Sequence, residues 1–164
     1  MLRHSLPPPT PKKRRGAAAV ELALVLPLFM TLTFVSIESG HALNVAQKLE
    51  AAVRDGGRLA SKDVPPALLA GGITANQKVI NDIKNMLRAE GYPATNIVVT
   101  ILHAEGATVG QNFDLALSTN QYKMFRITVT IPYSDVKMFP MSLSSSPTLR
   151  ATMVASRGRS TLNL

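Results

Sequence analysis

Glu21 is a carboxylate set into an apolar run, and the chemistry open to it depends on Gly16, five residues upstream. Cleavage after Gly16 would make Ala17 a new N-terminus and Glu21 the fifth residue. One helical turn would then separate a free amine from a carboxylate, a spacing suited to charge neutralisation between neighbouring chains. The alternative is that Glu21 lies close enough to a membrane interface to reach water, because the cost of a carboxylate falls with distance from the bilayer centre. Immediately before Gly16 stands the run Lys12, Lys13, Arg14 and Arg15. Four cations beside an apolar helix fix its topology, holding the N-terminus in the cytoplasm and sending the C-terminal bulk across.

Little else in the chain has the types or spacing of reactive groups. His4, His41 and His103 are scattered and lack metal-ligand spacing, and His4 and His41 read as solvated side chains. The chain has no cysteine, which removes disulfides, thiolate metal sites and cysteine nucleophiles. HExxH, GxSxG, Walker A and GxGxxG patterns do not occur. Asp82 and Glu90 lie two helical turns apart and read as a solvated face. Tyr92, Tyr122 and Tyr133 are too few and too separated for a base-stacking platform. No catalytic residue, metal or cofactor is therefore predicted, and the protein is read as non-enzymatic.

The element that must position Glu21 runs from Ala17 to Ile37. Those 21 residues carry a single charge. At about 1.5 Å per residue such a helix is roughly 31 Å long, enough for a bilayer core of about 30 Å. Pro27 lies inside it, removes one backbone hydrogen bond and is expected to kink the axis. Thr31, Thr33 and Ser36 either bond neighbouring helices or are simply compatible with lipid. The formal net charge of +8 resembles a nucleic-acid signal until it is located. Arg3 and the four cations at 12–15 supply five of those charges, whereas residues 17–164 hold 13 basic and 10 acidic side chains, a net of +3. The basicity is mainly a Pro-rich tail on the cytoplasmic side, so no nucleic-acid partner is predicted.

The string Arg14-Arg15-Gly16-Ala17-Ala18-Ala19-Val20-Glu21-Leu22-Ala23-Leu24-Val25-Leu26-Pro27-Leu28 resembles the N-terminus of TadE-like proteins. These are minor pilins or pseudopilins of tight-adherence, Flp-type, type IV pili. Leu49 to Ala60, with Ala51-Ala52-Val53-Arg54-Asp55-Gly56-Gly57-Arg58, is similar to that family's second signature. The resemblance covers roughly residues 14–60. It implies processing by a prepilin peptidase between Gly16 and Ala17, and an assembly or recognition role for Glu21. It implies as partners the membrane, other pilins or pseudopilins and assembly-platform proteins, with homo- or hetero-oligomers formed through the N-terminal helices. The implied location is the bacterial cytoplasmic membrane, N-terminus inside, or the pilus filament. Two other readings share the apolar segment: an uncleaved single-pass anchor whose exported domain binds an envelope partner, and a secreted protein cut near Gly40-His41-Ala42. The length of the run and the entry of Glu21 into it count against the last.

Three regions follow: a basic leader over 1–16, a transmembrane helix over 17–37 and an exported α+β domain over 38–164. In the last, Ala42, Val45, Leu49, Ala52, Gly56 and Leu59 form an apolar stripe at helical spacing that seats either on the domain's own sheet or on partner helices. Gly56-Gly57 is predicted to weaken or end that helix. Pro65-Pro66 and Gly71-Gly72 mark a loop with a short turn over 67–70. Thr74 and Gln77 form a capping-box pattern opening a second helix, which Gly91 and Pro93 stop. Period-two alternation then gives candidate strands through Ile97–Ile101, Phe113–Leu117, Phe125–Ile131 and Leu149–Ala155. Hairpin-length connections make the sheet antiparallel and the fold pilin-like, a long N-terminal helix laid on a small sheet.

Overall fold

The computed structural model describes residues 15–62, 72–93, 95–139 and 147–158. Lys12, Lys13 and Arg14 lie outside them, as do His4, Pro65-Pro66 and the turn expected over 67–70. The order is α1 (Arg15–Ala60), α2 (Ala75–Ala89), β1 (Val98–His103), β2 (Met124–Pro132) and β3 (Thr148–Ser156). The fold is α+β, with a long apolar N-terminal helix, a second helix and a three-stranded antiparallel sheet of order β1-β2-β3. The chain divides into two units, 1–37 and 38–164.

In unit 38–164, the alternation read from the sequence becomes the two faces of the sheet. Phe125, Ile127, Val129 and Ile131 point inward and are fully buried, and Val99 and Ile101 of β1 are buried with them. Opposite them, Val45, Leu49, Ala52, Val53 and Ala60 of α1 and Val79, Ile83 and Leu87 of α2 close the core. The apolar stripe of α1 therefore seats on the domain's own core, with Ala42 and Leu59 half-buried at its margin. Residue β3 positions facing the same way are less covered: Ala151 is buried, whereas Leu149, Met153 and Ala155 are half-buried.

The glycine pair does not end α1, which continues to Ala60. Gly56 is pressed against Ile83 of α2, where an added Cβ would collide with the Ile83 side chain. A Cβ at Gly57 would lie 2.5 Å from Met153 Sδ of β3. The absent side chains let one helix approach a second helix and a strand, and that packing offsets the helix cost of glycine, about 1 kcal/mol per residue.

Helix α2 begins as its sequence predicts. The Thr74 hydroxyl accepts from Gln77 N at 3.2 Å while Thr74 N donates to Gln77 Oε1 at 3.1 Å. Gly91, at φ +90°, ends it, and Tyr92 N donates back to Leu87 O at 3.1 Å. The candidate strand Phe113–Leu117 does not form. Phe113 and Leu115 are buried and Leu117 is exposed, but only Asn112 makes a bridge, to Leu102. The reason is the side chain of Asn76 on the first turn of α2. Its Nδ2 donates to Phe113 O at 2.6 Å and its Oδ1 accepts from Leu115 N at 2.8 Å, taking two backbone groups a ladder would need. Asp114 Oδ1 then accepts from Ala116 N at 2.8 Å and turns the chain.

Candidate functional site

The apolar run over 17–37 is built from side chains that a folded domain would hide. Large apolar residues from Val20 to Ile37 are exposed, Leu24 at 74% and Phe29 at 65%. A core helix of a soluble domain would have most of these covered, and none of the most apolar stretch of this one is. The helix is long and apolar enough to cross a membrane, which supports membrane association by single-pass anchoring.

Within it, Gly16, Ala17 and Glu21 are all exposed, and a Cβ at Gly16 would meet nothing. Glu21 stands four residues after Ala17, about one turn, on an uninterrupted helix that starts at Arg15. Pro27 lies inside the same helix, which continues past it without a break. The hydroxyls of this segment fold back on their own helix. Thr31 donates to Pro27 O at 2.8 Å, Thr33 to Phe29 O at 2.9 Å and Ser36 to Leu32 O at 2.8 Å. Each of these hydroxyls is satisfied four residues back, an arrangement compatible with lipid.

A cluster missed by the sequence reading lies just beyond the apolar run. Glu38 accepts three hydrogen bonds from a segment nearly 100 residues away: the Tyr133 hydroxyl, Met138 N at 3.3 Å and Phe139 N at 3.2 Å. The Tyr133 bond is the main cause holding the Glu38 carboxyl below its ordinary range; burial opposes it, and the two backbone N–H groups and the nearby His41 add to it. The Tyr133 phenol is pushed up to about 12 by burial first and by the carboxylate it serves second. His41, expected to be solvated, is half-buried, with Nε2 2.6 Å from Val136 O; that carbonyl can only accept, so Nε2 carries the proton. No local pattern signals this cluster, because each half is unremarkable until the chain brings them together.

Asp82 and Glu90, read from the sequence as a solvated face, each take part in a separate ion pair. Asp82 meets Lys78 at 2.6 Å along α2, and Glu90 meets Lys48 of α1 at 2.7 Å, with the Lys48 ammonium 5.7 Å from the Tyr92 ring centre. Lys48 is held above its ordinary range chiefly by Glu90. His103 is buried edge-on to Phe113, ring centres 4.7 Å apart, and Phe113 in turn contacts Phe125 at 5.3 Å. Among the described residues no three His, Asp or Glu side chains are grouped to hold a metal.

No curated protein and no solved structure matches the chain. An exposed apolar helix opened by a small residue and one carboxylate runs on into a glycine pair at 56–57. Over residues 16–58 the chain matches the TadE-like protein family, which points to a Tad pilus-associated protein.

Proposed function

We propose that the protein is a non-enzymatic minor pilin or pseudopilin of a tight-adherence pilus, anchored by 17–37 and acting in assembly or as a minor filament component. The observation that carries this reading is the exposed apolar helix with a lone carboxylate one turn from Ala17. Neighbouring subunits would cover those apolar side chains with their own helices. The 12–15 cations would set the N-terminus inside the cytoplasmic membrane and the 38–164 domain outside it. Prepilin peptidase would cut between Gly16 and Ala17, and Glu21 would compensate the new amine of a neighbouring chain, which would otherwise be an uncompensated charge in low dielectric. Pro27 would adjust the helix axis for that packing.

Two measurements test this. The N-terminal residue of the membrane-associated protein, read by intact mass and peptide sequencing, is expected to be Ala17. An unprocessed start would favour the uncleaved anchor, and a start near Leu43 a secreted protein. Glu21→Leu is expected to leave membrane insertion intact and to reduce capture of partner pilins; full assembly of that variant would end the charge-compensation role.

A further inference from the structure

The Glu38 cluster does more than tie two ends of a domain together, because its position is fixed by what precedes it. Glu38 follows Ile37, the last residue of the apolar run. The polar layer on each side of a bilayer core is about 5–7 Å deep. Any backbone bonded directly to Glu38 therefore lies within one side chain and one hydrogen bond of the residue that enters that layer when 17–37 spans. Met138 and Phe139 are so bonded, through their own N–H groups. Met138 is 55% exposed, Phe139 is half-buried, and Lys137 beside them is exposed. A thioether, a ring and an ammonium in sequence form the composition of an interfacial anchor, apolar groups entering the acyl boundary and a cation remaining among headgroup phosphates.

We propose that the Glu38 clamp presents Met138 and Phe139 to the phospholipid surface as a second membrane contact, in addition to the spanning helix, with Lys137 toward anionic headgroups. The inference rests on the spanning reading of 17–37 and adds a lipid site within 38–164. Unlike the other exposed apolar side chains of the sheet region, Met138 is placed at this level by direct bonds. Tyr122, 63% exposed, precedes β2, whereas Tyr133 follows it, so the length of β2 (Met124–Pro132) lies between the two. At about 3.4 Å per residue that is on the order of 30 Å. A contact at Met138 and Phe139 would add a lipid attachment to the domain near Glu38.

The absence of cysteine makes the test clean, since one introduced thiol is unique. The full chain carrying Met138→Cys, Phe29→Cys or Tyr122→Cys, labelled with an environment-sensitive fluorophore, would be reconstituted in phosphatidylethanolamine–phosphatidylglycerol vesicles containing shallow or deep spin-labelled lipids. The expected result is strong quenching at 138 by shallow label, quenching at 29 by deep label, and none at 122. Glu38→Ala should lower quenching at 138 several-fold without changing it at 29. A lipid-quenched probe at 29 with an unquenched one at 138 overturns the proposal alone, whether the 138 probe is wet or shielded by a second copy. An unquenched probe at 29 overturns the spanning reading and the proposal with it. Unchanged quenching at 138 in Glu38→Ala overturns the clamp as the element that presents the loop.

Discussion

Between Val20 and Ile37 the large apolar side chains of α1 are exposed, whereas from Val45 to Ala60 a stripe of the same helix is closed over by α2 and the sheet. The two stretches differ in pattern more than in the presence of apolar residues. The first is apolar on every side and folds its few hydroxyls onto its own carbonyls. The second is apolar on one side, with Glu50, Arg54, Asp55 and Arg58 exposed on the other. A uniformly apolar surface has no stable place in water, whereas a one-sided one is satisfied by packing its apolar face on a single core. The contrast thus reads as a change of surroundings along a single helix, and it is open to attack from both ends.

The largest expected effect comes from removing a core ring on one side of the contrast and an exposed ring on the other. Phe125 is fully buried and touches Phe113. Phe125→Ala is expected to destabilise the 38–164 domain by about 3–5 kcal/mol. Phe29→Ala removes a ring exposed along the apolar run and should leave the same transition within about 0.5 kcal/mol. Denaturant unfolding of the full chain in detergent micelles, followed by the near-ultraviolet dichroism of its tyrosines, measures both. Equal losses would mean that Phe29 is part of a folded core, and the contrast would collapse.

Glycine sharpens the same comparison with a smaller effect. Gly56 and Gly40 both lie within α1, yet a Cβ at Gly56 would collide with Ile83 and one at Gly40 would meet nothing. Gly56→Ala is expected to cost about 1–3 kcal/mol through overpacking. Gly40→Ala is expected to stabilise by up to about 1 kcal/mol, because alanine restricts the unfolded chain and suits a helix. The opposite signs, read by the same unfolding experiment, would show that one glycine is kept for contact and the other is not.

These glycines also mark where the sequence stops being sufficient. A close approach between elements is a tertiary fact, so Gly56-Gly57 reads locally as a helix stop, although packing carries the helix through it. The α2 cap was legible because Thr74 and Gln77 are three residues apart, and β2 because alternation repeats over nine residues. Phe113, Leu115 and Leu117 alternate too, but Asn76, 37 residues before Phe113, captures the backbone that a strand would have used. Of the site, Gly16, Ala17, Glu21 and the apolar run were visible as a local motif. Glu38 and Tyr133 were not, since 95 residues separate them and neither is unusual alone.

The smallest expected effect is the pH dependence of that cluster, which tests whether the domain is fastened where the apolar run ends. Glu38 has its carboxyl held below the ordinary value of 4.5, with the Tyr133 hydrogen bond as the first cause. A carboxyl depressed on folding contributes stability above its unfolded pKa and loses it as pH falls through the lower folded value. Tyr133 has the opposite sense: raised to about 12 from 10.0, it contributes fully below pH 10 and loses the contribution as pH rises toward 12. The wild-type advantage over Tyr133→Phe should therefore be flat across neutral pH, shrink below about pH 4.5 as Glu38 protonates, and shrink again above about pH 10. His41 also faces Glu38 and adds, as the smallest contribution, to holding its carboxyl low. Exchange of the Met138 and Phe139 amides, followed by mass spectrometry, reports the same bonds directly. Protection lost in Glu38→Gln but retained in Tyr133→Phe would assign the fastening to the carboxylate and its two backbone donors. Loss in both would assign it to the phenol, because the carboxylate would then have held the loop only while the phenol held the carboxylate.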